Sequence, residues 1–173
     1  MPDRGLHTAR TGPHRLTTVG LVVEPALARE AAQILVLQYL CYLTEAELYD
    51  GYAMPPLTQS LGSLLDEYDT HQVLVARLED EIVGSVRGRL VDGTCHVGRL
   101  VVHPRLRRRG LGTRLMHAIE EHFAAAERYE LFTGHLSEGN LRLYRRRGYT
   151  EFHKETVSPR LQLVYLEKFR ASS

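Results

Sequence analysis

The most constraining feature of this sequence is a buried strand that runs through a proline into an arginine-rich loop and then a helix. The stretch reads Gly98-Arg-Leu-Val-Val-His-Pro-Arg-Leu-Arg-Arg-Arg-Gly-Leu-Gly112. Pro104 cannot continue a central strand, and Gly110 and Gly112 let the backbone approach a ligand closely. The first turn of a helix carries free N–H groups and a partial positive charge. The stretch therefore predicts a binding site for a phosphate group.

Two other phosphate-binding loops do not match this stretch. The dinucleotide fingerprint needs a third glycine where this chain has Leu115. The P-loop needs a Gly-Lys-Ser/Thr ending, which the stretch lacks. A purely structural interpretation stays open, in which the glycines only close a tight turn and the arginines are solvated.

The rest of the chain alternates helical and strand patterns, which predicts an α/β (α+β) fold around one mixed sheet. Residues 1–15 have no periodicity and predict a disordered tail, followed by one domain over 16–173. Predicted helices cover 25–48, 61–68, 110–127 and 138–147, and predicted strands cover 16–23, 72–77, 82–89, 94–102, 129–133 and 161–167. A loop is predicted over 49–59. The outer face of the helix over 110–127 is predicted to carry Arg114, His117, Glu120 and Glu121.

Charge, cysteine content and hydropathy limit the kinds of binding partner and the cellular location expected for this protein. The formal net charge is +1, which argues against a general polyanion binder. Two cysteines, Cys41 and Cys95, predict buried free thiols rather than a disulfide or a metal site. The chain shows neither a signal-peptide pattern nor an apolar run long enough for a bilayer. We therefore expect a soluble, cytoplasmic protein with no membrane partner and no metal.

A second block, residues 140–149, ends in Tyr144, three arginines and Gly148-Tyr149. Together with Arg107-Arg-Arg-Gly-Leu-Gly112, which matches the motif Q/R-x-x-G-x-G/A, this block resembles the GNAT superfamily of N-acetyltransferases. The likeness extends over about residues 16–167. One departure is Ser137, which stands where many members have an asparagine, seven residues before the tyrosine; the asparagine of this chain is Asn140.

The resemblance implies a fold, a cosubstrate and a reaction. The fold is a single domain whose mixed central sheet has splayed strands and flanking helices. The cosubstrate is acetyl-CoA, and the reaction is direct attack by a primary amine, of a small molecule or a peptide, through a tetrahedral intermediate. The residues implied in cofactor binding are Leu100, Val101 and Val102 for the pantetheine arm, Arg107, Arg108, Arg109, Gly110, Leu111, Gly112 and Thr113 for the pyrophosphate, and also Asn140 and Tyr144. Many relatives form homodimers.

Catalytic roles also follow from the resemblance. Tyr144 is the candidate acid for the leaving thiolate, because the family often uses this tyrosine to protonate it. The alternative role of Tyr144 is a core tyrosine packed with Leu141. His96 stands where some relatives carry a glutamate that acts as the general base, and a histidine has an intrinsic pKa suited to that role. His135 is a weaker candidate for the general base. A backbone N–H at Val101 or Val102 is a candidate donor to the oxyanion.

The acceptor is expected to lie against the first two helices and the loop between them. Aromatic faces and carboxylates occur there together, which suits a cationic amine. The candidate contacts are Tyr42, Glu45, Tyr49 and His135. A solvated acidic helix end is the alternative interpretation of the same residues.

Two other functions compete with acetyl transfer. A CoA-binding sensor would keep the fold without turnover. A nucleic-acid-binding module would use the arginines at 105–109 and 145–147, although the near-neutral charge and the lack of a recognised nucleic-acid motif argue against it.

Overall fold

The structure is built on a seven-stranded mixed sheet with helices packed on both faces. It is a computed structural model that describes residues 20–171, so the predictions for 1–15 and for the start of the first strand lie outside the described residues. The strands are β1 (Leu21–Pro25), β2 (Gln72–Leu78), β3 (Glu81–Val91), β4 (Thr94–Val102), β5 (Arg128–Gly134), β6 (Thr150–Thr156) and β7 (Gln162–Phe169). The helices are α1 (Ala31–Tyr49), α2 (Pro55–Thr58), α3 (Leu61–Glu67), α4 (Leu111–His122) and α5 (Glu138–Arg146).

The sheet opens in its middle. Its order is β1-β2-β3-β4-β5-β7-β6, and among these described strands only the neighbours β4 and β5 run parallel to each other. These two strands pair only from Thr94 to His96, opposite Arg128 to Glu130. Strand β5 then continues along β7 as far as Gly134, while β4 continues along β3. The two strands therefore separate after His96, as the prediction of splayed strands requires.

Each face of the sheet has its own hydrophobic core. On one face, Leu111, Leu115 and Ile119 of α4 are buried against the sheet, which confirms the apolar stripe predicted for this helix. On the other face, α1 packs Ile34 and Leu37 over β2 and β3. Both cysteines are buried and free, as expected. Among residues 20–171, no helix is long and apolar enough to cross a membrane.

Several predicted boundaries were wrong, for identifiable physical reasons. Pro25 ends β1 instead of opening a helix, and α1 begins only at Ala31 after a 3-10 turn. The loop over 49–59 contains the short helix α2, where Pro55 occupies an N-terminal position at which its missing N–H is not needed. Helix α4 ends at His122, before the predicted 127. Strand β6 was not located, because all of its side chains are exposed and it therefore lacks a hydrophobic period.

Glu120 was predicted on the outer face of α4, and the structure buries it. Its carboxylate accepts hydrogen bonds from Arg147 (2.8 Å), Lys168 (2.7 Å) and the Tyr149 hydroxyl (3.0 Å). Arg147, directly after α5, and Lys168 of β7 place their cations against this carboxylate. Glu120 therefore belongs to a buried ion cluster that fastens three elements together.

Gly134, at the end of β5, has no room for a side chain. A Cβ there would overlap the hydroxyl of Tyr49 and lie 2.5 Å from its Cζ. We expect Gly134→Ala to lower the free energy of unfolding by about 1–3 kcal/mol, as overpacked cores do. Thermal unfolding followed by circular dichroism measures this change.

Gly139→Ala is the matched control for that substitution. Gly139 lies in α5, and a Cβ there meets nothing within 4 Å. Alanine stabilises a helix interior by up to about 1 kcal/mol relative to glycine. A Gly134→Ala protein that is as stable as Gly139→Ala would contradict the close contact with Tyr49.

Candidate active site

A β-bulge in β4 marks the point where the sheet opens. Gly98 pairs with Arg87 and Val101 with Ser85, so two residues of β4 face one residue of β3. The first of these two, Arg99, has a φ of 53°. The bulge also changes which face of the sheet the following side chains point to. Val97, before the bulge, packs in the core under α4, whereas Val101, after it, packs in the core under α1.

Beyond the bulge, the edge of β4 faces the cleft. The N–H of His103 donates to the carbonyl of Val83 at 2.8 Å, so the main-chain groups of Val102 point to the opposite edge. The Val102 carbonyl accepts a bond from the Cys41 thiol at 3.3 Å. Val101 pairs with Ser85 of β3. Of the two predicted oxyanion donors, the geometry therefore favours Val102.

The loop between β4 and α4 has an open helix N-terminus. Gly110 is the N-cap residue, with a φ of 82°, and no side chain caps the helix there. Gly112 allows close packing, because a Cβ would lie 3.1 Å from Cδ2 of Leu143 in α5. The side chains of Arg107, Arg108 and Arg109 are exposed around this turn. A phosphate group fits this combination of an uncapped helix start and surrounding guanidinium groups.

Tyr144 lies on α5 with its ring buried, 6.1 Å from the ring of Tyr149. Burial raises the pKa of its hydroxyl, and Tyr42 and Glu45 raise it further. The hydroxyl has no hydrogen-bond partner among residues 20–171. Tyr144 therefore packs with the core, as the structural alternative expects, and still keeps a free proton donor close to two residues of α1.

The two candidate histidines lie in different surroundings. His96 is the last residue of β4 that pairs with β5, so it lies where the strands begin to separate. Its half-exposed ring has Nδ1 at 4.0 Å from Oε1 of Glu130. His135 follows β5, and its Nδ1 accepts the N–H of Gln162 at 3.1 Å. One ring nitrogen of His135 is thus already engaged within the chain.

The acceptor candidates divide into two groups. Tyr42 and Glu45 of α1 are half-buried and act electrostatically on Tyr144, so these three residues lie near one another. Tyr49 is buried, and its hydroxyl accepts the N–H of Leu136 at 2.9 Å. Its ring lies 5.6 Å from that of His135. Tyr49 and His135 therefore support the connection between β5 and α5.

The asparagine region at the start of α5 has its own contacts. Asn140 Nδ2 lies 3.5 Å from the hydroxyl of Thr133. Ser137 is buried and donates its hydroxyl to Glu45. This hydrogen bond links the start of α5 to the half-buried carboxylate of α1.

Sequence reasoning missed two arginines on the α1 face. Arg87 of β3 is 2% exposed and donates to Glu67 at 2.6 Å. It also donates to Gln38 and Gln59, which joins α1, β3 and the segment around α2 and α3. Arg99 lies at the bulge with its Nε buried. The available signal was an arginine inside the apolar run of β3.

The second arginine cluster has partners within the chain. Arg145 pairs with Glu151, and Arg147 pairs with the buried Glu120. In the first cluster, Arg105 pairs with Glu81. These ion pairs account for part of the basic charge that the nucleic-acid hypothesis uses.

Comparisons with known proteins agree with this geometry. The model of the acetyltransferase (GNAT) family matches residues 37–149. Comparison of the sequence with curated proteins finds no significant match. Among solved structures, the ribosomal-protein-S18-alanine N-acetyltransferase from Escherichia coli has a TM-score of 0.72 at 11% identity, covering 88% of this chain and 96% of that one.

Two similar structures contain the cofactor. The PaiA N-acetyltransferase from Thermoplasma acidophilum, in complex with coenzyme A, has a TM-score of 0.70 at 13% identity, covering 86% of this chain and 98% of that one. The structure of yncA from Salmonella typhimurium, with its cofactor acetyl-CoA, has a TM-score of 0.72 at 17% identity, covering 89% of this chain and 96% of that one. At these identities the likeness shows the fold, and the family match covers more than half of the chain. The chain therefore belongs to the GNAT family of acetyltransferases, and its enzymatic class is N-acetyltransferase.

Proposed function

We propose that this protein transfers the acetyl group of acetyl-CoA to a primary amine inside the cleft between β4 and β5. The observation that carries the proposal is that two binding features follow each other along the chain. The edge of β4 that does not pair with β5 is followed, after the loop over 103–110, by the uncapped N-terminus of α4. An extended arm that ends in a pyrophosphate fits such a surface, first as an added strand and then at a helix start. Acetyl-CoA supplies an activated acetyl thioester with a thiol leaving group.

The chain would hold the cofactor mostly by its main chain. The edge of Leu100 and Val102 offers strand-type hydrogen bonds, and the N–H groups from Arg107 to Thr113 offer an anion site. The exposed arginines of the loop add charge-assisted hydrogen bonds, which are roughly twice as strong as neutral ones. Asn140 and Tyr144 border the same cleft from α5.

Tyr144 is proposed as the proton donor. Because burial raises the pKa of its hydroxyl, Tyr144 keeps its proton throughout the neutral range. The hydroxyl is free to donate that proton, or a hydrogen bond, to a thiolate that develops in the cleft. Val102 N–H is proposed to stabilise negative charge on the carbonyl oxygen.

His96 is proposed to accept a proton from the amine, directly or through water. A lysine-like amine with a pKa near 10.4 is neutral in only about one molecule in 10³ at pH 7. We expect His96→Gln to lower kcat/KM about 100-fold at pH 7, a general-base contribution of ordinary size. The loss shrinks toward pH 10, where the amine deprotonates in solution.

His117→Gln is the matched control for the His96 variant. His117 lies on α4 with 61% of its side chain exposed, so its loss changes no group of the cleft. Initial rates from pH 6 to pH 10 measure both variants. An unchanged kcat/KM at pH 7 in His96→Gln would remove this residue from the mechanism.

The proposed function is tested by thiol release from acetyl-CoA with a panel of amino acids, polyamines, aminoglycosides and peptides. Amine-dependent thiol release supports the proposal. Stabilisation by acetyl-CoA without thiol release over the panel would instead indicate a CoA-binding sensor. Binding of DNA or RNA that falls steeply with salt would favour the nucleic-acid alternative.

A further inference from the structure

Arg99 places a cation beside the cleft without a carboxylate partner. Among residues 20–171, no carboxylate oxygen forms an ion pair with its guanidinium, and its Nε is buried without a hydrogen-bond partner. Its contact is with the hydroxyl of Tyr42. A guanidinium stays charged in proteins, and the half-buried Arg99 side chain has its Nε shielded from water, so solvent compensates its charge only in part. The position therefore calls for an anion that the described part of the chain does not supply.

The neighbouring Arg87 does not relieve this charge. Arg87 lies close enough to repel Arg99, but its own charge is balanced by Glu67 at 2.6 Å. Gln38 and Gln59 accept its remaining hydrogen bonds, although its Nε also has no partner in the described chain. One uncompensated positive charge, that of Arg99, remains at this point of the cleft.

The backbone presents Arg99 to the cleft at an energetic cost. A φ of 53° is a left-handed conformation that residues with a Cβ rarely adopt. Strained residues of this kind persist where the surrounding structure holds them and concentrate at functional sites. The bulge also lies immediately before the β4 edge proposed to hold the cofactor. The bulge thus fixes the backbone of Arg99 immediately before that edge, and the Arg99 side chain contacts Tyr42 of α1.

Glu45 of α1 supplies a negative charge near the positive charge of Arg99. Glu45 is held by the hydroxyl of Ser137 and acts on Tyr42 and Tyr144. Tyr42 is therefore influenced by a cation, Arg99, and an anion, Glu45. A cleft with one fixed positive and one fixed negative charge is complementary to a ligand that carries one of each.

We propose that the acceptor is a small amine that also carries a carboxylate, namely a free amino acid or a close analogue. The proposal rests on the proposed acetyl transfer. Arg99 binds the carboxylate through its planar fork, and Glu45 attracts the ammonium group. In the reaction the amine nitrogen forms a bond to the acetyl carbon, the carbon–sulfur bond breaks, and the CoA thiol and one proton are released. A monoanion fits better than a phosphate, because only one positive charge is uncompensated.

The experiment compares matched acceptors that differ only in the carboxylate. Initial rates of thiol release are measured with each common amino acid, its α-amide and its decarboxylated amine. We expect one or more amino acids to exceed their amides and amines in kcat/KM by about 10- to 100-fold, the range expected from one or two hydrogen bonds to a charged group. In Arg99→Gln the ratio of kcat/KM for the amino acid to that for its amide and its amine is expected to fall toward one, mainly through a raised KM for the amino acid.

Controls separate a local effect from misfolding. Arg89→Gln removes an exposed arginine from β3 and is expected to keep the preference. Arg99→Lys keeps the positive charge but lacks the two parallel donors of a guanidinium, and it is expected to keep part of the preference for the amino acid. Stabilisation of each variant by acetyl-CoA confirms that it is folded. Isothermal titration of the CoA-loaded wild type with the preferred amino acid and with its amide gives a second readout, in which only the acid binds.

The outcomes are distinguishable. Equal rates with acids, amides and amines in the wild type would overturn the carboxylate site and leave acetyl transfer intact. A preference that survives Arg99→Gln would overturn the role of Arg99. If no amine releases thiol from a protein that acetyl-CoA stabilises, the proposed function fails, and the acceptor assignment fails with it.

Discussion

Tyr144→Phe is expected to lower kcat about 100-fold, with a much smaller effect on the Kd for acetyl-CoA, which is proposed to be held mostly by the main chain. A positioned general acid contributes about 10²–10⁴-fold to a rate, and the Tyr144 hydroxyl has no other hydrogen-bond partner in the described chain. Phenylalanine keeps the buried ring and its packing with Tyr149, so the stability of the protein changes little. Steady-state rates of thiol release and calorimetric titration with acetyl-CoA measure the two effects separately.

Tyr165→Phe is the control for this substitution. Tyr165 lies on β7, and its hydroxyl donates to Glu155 at 2.9 Å, outside the cleft. The wild-type protein is also expected to show no loss of activity from ionisation of Tyr144 up to about pH 10, because its pKa is raised above that ordinary value. A kcat in Tyr144→Phe equal to that of Tyr165→Phe would make Tyr144 a core residue only.

Glu120→Gln is expected to lower the free energy of unfolding by about 2–4 kcal/mol. Removing one partner of a buried ion pair costs about 3–5 kcal/mol, because the other partner is left without a counter-charge. Lys168 is 26% exposed, so water compensates part of this loss. For a chain of this size the change corresponds to a fall in Tm of about 5–15 °C, at about 2–4 °C per kcal/mol.

The neighbouring Glu121→Gln is the matched control, since Glu121 is 67% exposed and its one ion pair within residues 20–171 is with the exposed His117. Such surface pairs contribute about 0–1 kcal/mol. Equal Tm values for the two variants would contradict the buried cluster.

The pH dependence of stability follows from the same carboxylate. Burial alone would raise the pKa of Glu120, but hydrogen bonds from Arg147 and Lys168 outweigh it and hold the pKa below its ordinary value. A lowered folded pKa gives stabilisation that is present above the unfolded pKa, about 4.3 for a glutamate. This stabilisation is lost as the pH falls through the folded pKa. Glu120→Gln is therefore expected to show a shallower loss of stability below pH 5 than the wild type.

Much of the central sheet could be predicted from local patterns. The bounds of β4 agree with the prediction, because its apolar residues continue into Pro104, where the strand has to stop. The apolar stripe of α4 was recognisable from Leu111, Leu115 and Ile119. Strand β6 has no such pattern, since it is an edge strand with exposed side chains on both faces. Its formation depends on β7, whose pairing is not visible in the sequence of β6.

The candidate site also has one part that could be predicted from local sequence and another part that could not. The loop at Arg107 to Gly112 has a local signature, because glycines and arginines in a strand-to-helix turn have few other uses. The cleft itself depends on β4 and β5 parting after His96, which is a relation between distant segments. Arg99 became a candidate only when the structure showed its strained backbone and its buried, unpartnered Nε. Glu120 was misplaced because its partners Arg147 and Lys168 come from other elements.

The most direct test of the central claim is the shift in Tm of the wild-type protein on addition of acetyl-CoA. A ligand at 100 times its Kd stabilises the folded state by about 2.7 kcal/mol. For a chain of this size, that corresponds to an increase in Tm of about 5–10 °C. An increase of this size that saturates with acetyl-CoA is the predicted result. A Tm that stays unchanged with acetyl-CoA and with longer acyl-CoAs would contradict cofactor binding in the cleft between β4 and β5.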